Sequence, residues 1–165
     1  MQDVPFTYKM EEMMRQLPTG AFLTVQADGE RNTMTIGWAQ IGIVWGRHVL
    51  TVLVRDSRHT FGIIEKAADF TVSVPWQDMK KELTFCGTRS GRDFDKFHEL
   101  GLKTASGKVT KSPVLQLAGL HYECRIVYKS ALNPSLLHDD LFNVYPKKDF
   151  HTLYYGEIVA CYETE

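Results

Sequence analysis

The hydrophobic pattern alternates with a period of two residues along most of the chain, and the one clear departure comes first. In Thr7–Leu17 (TYKMEEMMRQL), Met10, Met13, Met14 and Leu17 fall at i, i+3, i+4 and i+7, the spacing of one helix face. The pattern therefore predicts an N-terminal helix over about residues 7–17, closed by Pro18, with the methionines used for packing. Ala21–Ala27 (AFLTVQA) has strand composition and Asp28-Gly29 is a hairpin turn. Its partner is Arg31–Ile43, read as one long strand. After Trp45-Gly46 the run His48–Val54 turns back, so three strands form an antiparallel meander. In the second strand Asn32, Met34, Ile36 and Trp38 share one face, with Thr33, Thr35 and Gly37 on the other. Gly37 and Gly42 within it suggest bulges or a close approach of backbone or ligand.

Further along, a short helix is expected at Phe61–Ala67, a strand at Phe70–Val74 ending at Pro75, and a helix at Trp76–Leu83. Cys86–Lys96 (CGTRSGRDFDK) reads as a turn, with Ser90 and Asp93 suited to a turn or a cap before a helix through Phe97 and Leu100. Val114–Leu117 leads into Gly119–Tyr128, which alternates strictly. Leu120, Tyr122, Cys124, Ile126 and Tyr128 line one face; His121, Glu123 and Arg125 point the other way, as an outer or interface face would. Lys129–Asp149 reads as a loop with a brief strand at Leu141–Val144, and His151–Tyr162 as a closing strand. Many strands and few short helices predict a mainly β chain, a closed or partly open antiparallel barrel.

Composition narrows the possibilities. The 165 residues suggest one domain spanning 1–165, and the formal net charge of −1 gives no electrostatic case for nucleic acid or an anionic membrane as partner. No apolar run approaches the roughly 20 residues that span a bilayer. The N-terminus lacks a basic segment followed by an apolar one, so a soluble, cytoplasmic protein is expected. Cys86, Cys124 and Cys161 are widely spaced with no C-x-x-C, which supports neither a disulfide framework nor a metal site. Cys124 and Cys161 read as small buried residues. Cys86 stands beside arginines, a setting that can lower a thiol pKa. The six histidines are dispersed, and no G-x-S-x-G or G-x-G-x-x-G motif occurs.

Candidate chemistry concentrates in the turn after Val54. Ser57, Arg58 and Thr60 stand at or beside a helix start, where free N–H groups and the helix dipole favour an anion. Ser57 is a plausible N-cap, and Arg55 or Arg58 can meet a phosphate as a fork. Alone, these residues equally suit a plain cap and solvated surface charges. The same holds at Arg89, Arg92 and Lys96, which can simply offset Asp93 and Asp95.

The blocks N-T-M-T-I-G-W-A, V-R-D-S-R-H-T-F-G-I-I, F-T-V-S-V-P, C-G-T-R-S-G-R-D-F-D-K-F and H-T-L-Y-Y-G-E-I-V, in this order, resemble the flavin reductase-like family of FMN-binding split barrels, particularly its flavoredoxin-type branch. The resemblance runs from about Thr19 to Tyr162. It implies an antiparallel, Greek-key split β-barrel that binds FMN, usually as a homodimer. It places the flavin ring beside Asn32, Thr33, Met34 and Thr35, many acting through backbone atoms. Arg55, Ser57, Arg58, Thr60 and Lys96 become phosphate-end candidates, with Cys86 and Ser90 in the adjoining block. His151 matches a histidine near flavin or nicotinamide in reductases of the family; otherwise it merely begins a surface strand. The implied activity is reduction of flavin by NADH or NADPH and transfer of electrons to an acceptor. The alternatives are an electron carrier reduced by a redox protein partner, and a non-catalytic FMN-binding module.

Overall fold

The structure is a computed structural model and describes residues 1–165. The chain runs β1 (Gln2–Asp3), α1 (Met10–Gln16), β2 (Ala21–Ala27), β3 (Glu30–Ile36), β4 (Ala39–Val44), β5 (Arg47–Arg55) and α2 (His59–Ile64). It continues through β6 (Asp69–Pro75), α3 (Lys80–Thr88), α4 (Lys96–Glu99), β7 (Thr104–Ala105), β8 (Val114–Leu115) and β9 (Gly119–Ala131). Two 3-10 turns, Pro134–Leu136 and Asp139–Val144, precede β10 (His151–Thr164). The main sheet is antiparallel, in the order β3-β2-β6-β9-β10-β5-β4, with β1 on β10.

The expected strand Arg31–Ile43 is two strands. It breaks at Gly37-Trp38: β3 pairs with β2, β4 pairs with β5, and the two halves lie at opposite ends of the sheet order. Two residues thus connect the two ends of the sheet, which rolls it into a barrel without a ladder at that corner. Gly42 carries no close approach, since nothing stands within 4 Å of a Cβ built there. Gly156 does. A Cβ there would lie 2.5 Å from Phe70 Cζ and 2.6 Å from Cys124 Cβ, beside a register shift in the β10–β9 pairing. Its absence lets β10 bend against the core.

Inside the barrel Leu23, Val25, Leu50, Val52, Phe70, Val72, Leu120, Tyr122 and Tyr154 form one buried cluster. Tyr122 and Cys124 face this core as the alternation requires. On the opposite face of β9 Arg125 is exposed as expected, but the face is not an outer one before it. His121 and Glu123 are buried because the 104–118 segment folds over them. The Glu123 carboxylate accepts from the amides of Lys108, Val109 and Thr110 and from the Tyr162 hydroxyl. Asp69 likewise accepts from Lys111 and Ser112. Buried carboxylates of this kind are tolerated only when so fully bonded.

The helices differ from expectation in register. Within α1 Met13 is buried and Met14 is half exposed, so Met14 stands off the packed face. The helix expected at Trp76–Leu83 begins later, at Lys80, and carries Cys86 and Gly87 inside it. The short helix at Lys96 is capped by Asp95, which accepts from Phe97 and His98; Ser90 instead closes a turn through the Arg92 amide. Residues 141–144 form part of a 3-10 turn rather than a strand. A second, smaller core joins Phe22, on the outside of β2, to Leu83, Cys86 and Phe97. That cluster anchors α3 and α4 on β3. No helix is long and apolar enough to cross a membrane.

Candidate functional site

Where α2, the end of α3 and the following turn converge on β3, a pocket of ≈ 140 Å³ is lined by Arg58, Arg89, Arg92 and Lys96, with Asn32, Ser57, Thr60, Cys86 and Ser90 among the other walls. No carboxylate lines it. Each cation but one is tied to the backbone: Arg58 to Gly87 O (3.2 Å), Arg92 to Ser57 O (3.1 Å), Lys96 to Thr33 O (3.0 Å) and Cys86 O (2.8 Å). The guanidiniums and ammonium are therefore held in place by groups that leave their charge uncompensated. Burial pushes the Lys96 pKa below its ordinary range, and Arg58 adds to that effect. An anion in the pocket would oppose the shift by favouring the charged ammonium.

The hydroxyl groups divide into free and committed. Thr60 Oγ1 accepts from Asn32 Nδ2 at 2.9 Å, and no protein acceptor takes the Thr60 proton, so it can serve a ligand. Ser57 is not the helix cap. Arg58 holds that position with no side-chain cap bond, and Ser57 Oγ donates instead to Asp149 Oδ2 at 2.6 Å. A charged carboxylate is the stronger acceptor, and this clip holds the 145–150 segment against the turn. At Gly91 a Cβ would meet Asn32 Oδ1 at 2.5 Å and His59 Cδ2 at 2.6 Å, so only glycine keeps this wall open. Cys86 is no reactive thiol: it is buried, and burial raises its pKa to about 11, with Lys96 opposing weakly.

A second cleft, of ≈ 170 Å³, adjoins the first and shares Met34 and Arg58 with it. Its other walls are Thr35, Ile36, Gly37, Trp38, Leu53, Arg55 and His151. The strand break explains the cleft, because the chain leaves the sheet at Gly37-Trp38 and opens a gap between β3 and β5. Arg55 belongs here rather than to the cationic pocket; it donates to Asp149 O and Val144 O and pins the loop before β10. Thr33 is buried with its hydroxyl on Thr24 and Leu23 O, so its side chain lines neither space. Thr35 lines the cleft, with its hydroxyl committed to Leu83 O. His151 is buried at the start of β10, its Nδ1 2.8 Å from the Tyr145 hydroxyl. Burial, then Arg55, lowers its pKa to about 4. The imidazole is neutral at pH 7.

Of the twelve sequence candidates, the cationic pocket gathers Asn32, Met34, Ser57, Arg58, Thr60, Cys86, Ser90 and Lys96. The cleft takes Thr35, Arg55 and His151 and shares Met34 and Arg58; Thr33 contributes only its carbonyl. Sequence reasoning left Arg89 and Arg92 as surface charges, read Gly91 only for its backbone freedom and Tyr145 only as part of an aromatic, dimer-compatible C-terminal stretch, and did not single out Leu53. The clustering of arginines with two glycines was a signal for the first three. Leu53 and the Tyr145–His151 pairing had none, since both depend on how β5 and β10 meet at the cleft.

The flavin reductase like domain family model matches residues 14–165, and the chain belongs to that family. Similar proteins include an uncharacterized protein of Archaeoglobus fulgidus, 27% identical over 142 residues, 86% of this chain and 71% of that one. Among solved structures, flavoredoxin from Methanosarcina acetivorans aligns with a TM-score of 0.70 and 26% identity, covering 88% of this chain and 68% of that one. The FMN-binding protein from Thermus thermophilus, with bound 1-cyclohex-2-enone, aligns at 0.68 with 23% identity over 87% of this chain and 69% of that one. The architecture is the split barrel of these proteins.

Proposed function

We propose that the chain binds FMN along this trough and works as a cytoplasmic oxidoreductase that takes electrons from NADH or NADPH and passes them to an acceptor. The observation that carries the reading is the carboxylate-free cationic pocket joined, through Met34 and Arg58, to a cleft that Ile36, Trp38 and Leu53 wall on its apolar side. One end suits a phosphate and the other a planar ring, as FMN requires. The uncommitted Thr60 proton and the space left by Gly91 fit the phosphate end.

When bound, the flavin supplies the hydride and electron chemistry that no side chain here can perform. The chain's own residues bind and orient. Arg58, Arg89, Arg92 and Lys96 would hold the phosphate dianion, and the Thr60 hydroxyl would donate to it. Met34 and Ile36 would offer an apolar wall to the flavin ring. Arg58, common to both spaces, links charge at one end to orientation at the other. Trp38 is 46% exposed over His151, with ring centroids 5.1 Å apart, and leaves the outer side of the cleft accessible to a nicotinamide. His151 is the catalytic candidate, acting as a neutral group.

A second reading, an electron carrier reduced by a redox protein partner, draws support from the 26% identity to a flavoredoxin. A homodimer belongs to the proposal as well. Trp45, Tyr128 and Tyr155 form an aromatic group 5.4–6.0 Å apart on the outer sheet, and Trp45 is 61% exposed. Light scattering at micromolar concentration should give twice the chain mass; a monomer would remove the dimer.

Anaerobic addition of NADH, then NADPH, to the FMN-loaded protein tests the activity. Bleaching of the flavin absorbance faster than for free FMN is expected. No bleaching by either, with full bleaching by dithionite, transfers the assignment to the carrier. No retained flavin at all sinks both.

A further inference from the structure

Tyr145 packs against the one histidine that lines the cleft. It follows the Asp139–Val144 turn, is 6% exposed, and stands edge-on to the imidazole with ring centroids 5.5 Å apart. The Arg55 guanidinium covers its ring at 4.9 Å. The same guanidinium holds the carbonyls of Val144 and Asp149, so the chain on both sides of Tyr145 is tied to β5. The phenol is fixed against His151 Nδ1, 2.8 Å away.

The other ring nitrogen is free. His151 Nε2 makes no hydrogen bond within the protein, while every buried side-chain nitrogen and oxygen has a partner. Nε2 is therefore the atom that reaches the cleft lined by His151. The direction of the Tyr145–His151 bond then decides whether Nε2 is a donor or an acceptor. The Tyr145 hydroxyl has no second partner. If Nδ1–H donated to it, the phenolic proton would be buried without an acceptor, at a cost of about 1–3 kcal/mol. Donation from the phenol to Nδ1 satisfies both groups and leaves the proton of the neutral ring on Nε2. Three nearby charges bear on the ring: Arg55 and Arg58 oppose its protonation, and Asp149 favours it more weakly than Arg55 opposes it. Burial keeps Tyr145 protonated.

We propose that Tyr145 is a positioning residue whose hydroxyl locks His151 as the Nε2–H tautomer, presenting a fixed neutral donor to a carbonyl-type acceptor atom in the cleft. That this atom belongs to the flavin or to its redox partner rests on the function proposed above; the tautomer does not. A merely structural tyrosine would leave the imidazole free to exchange its proton between nitrogens.

Long-range proton–nitrogen correlation spectra of the uniformly nitrogen-15-labelled, ligand-free chain at pH 7 read the tautomer directly. In the native chain the His151 Nδ1 signal should be unprotonated and the Nε2 signal protonated. In Tyr145→Phe the two signals should move toward a tautomer average. A protonated Nδ1 in the native chain overturns the proposal without recourse to any variant. A folded Tyr145→Phe chain with an unchanged Nε2–H pattern overturns it as well. FMN titration of the same native sample keeps the two readings apart: an Nε2–H tautomer with no FMN binding removes the function and leaves the lock standing.

Discussion

The pocket around Ser90 and the cleft around His151 share two wall residues, Met34 and Arg58, and almost nothing else. The pocket is built from charge. Its cations are fixed by backbone carbonyls, and no acid offsets them, although the chain as a whole carries −1. The cleft instead sets Met34, Ile36, Trp38, Leu53 and an imidazole that burial keeps uncharged beside two guanidiniums, the shared Arg58 and an Arg55 committed to the carbonyls of Val144 and Asp149. Charge concentrated at one end fixes the orientation of a ligand that has one anionic end and one planar end. Neither end alone would discriminate between a flavin and a free phosphate, or between a flavin and any planar ring.

Another buried histidine, His121, adds a second contrast. Burial lowers the His121 pKa to about 4, the same value as for His151. Yet His121 bonds through both nitrogens, to Ser73, Leu117 O and Thr164, and its role ends with the fold. A perturbed histidine is thus no functional signal by itself. The free nitrogen facing a cleft is what separates His151 from His121.

Breaking the charged end alone should give the largest effect. Replacing Arg89 and Arg92 together by Ala removes two charge-assisted donors, each worth about 1.5–3 kcal/mol. FMN affinity should then fall by about 100-fold or more while riboflavin affinity moves by less than about threefold. Fluorescence titrations of both ligands check it, and parallel losses would merge the two ends into one. Trp38→Ala attacks the cleft; at about 0.5–1.5 kcal/mol for an aromatic contact, it should weaken FMN and riboflavin equally, by about 2- to 12-fold. Ionic strength should sharpen the distinction with a smaller effect. From 0.05 to 0.5 M salt, FMN affinity should fall by several-fold through screening, with riboflavin unmoved.

The two histidines predict a shared pH response. Each has a folded pKa of about 4 against an ordinary 6.5, so the unfolded chain binds more protons between those values. Stability is complete above about pH 6.5 and declines as pH falls toward about 4, by roughly 1.4 kcal/mol per pH unit for each proton taken up. Urea unfolding at several pH values measures the slope, and His121→Gln should reduce it by about half.

Much of the fold was legible because alternation alone fixes a strand. Ala21–Ala27, Gly119–Tyr128 and the closing strand from His151 are all strands, and Leu120, Tyr122 and Cys124 face the core as read. Alternation says nothing of where a strand breaks, and the Gly37-Trp38 corner depends on pairings of β3 and β4 with different partners. Nor does it show what lies over a polar face: His121 and Glu123 read as outward until the 104–118 segment covers them. Chemistry followed the same division. Arg58, Thr60 and Lys96 could be named from a cationic turn and a family resemblance. Ser57 could not be told from a cap, because its acceptor, Asp149, lies far along the chain. Tyr145 could be named as an aromatic but not paired with His151, because the turn that brings the two together leaves no periodic signal.

The account stands most directly on the joint use of the cationic pocket and the cleft by one ligand. Equilibrium titration of the native protein with FMN and with riboflavin, side by side at low salt, measures that. FMN binding tighter by about 100-fold or more is the predicted result, since the phosphate engages at least two charge-assisted donors. Equal affinities would show that the cationic pocket serves something other than the ligand in the cleft.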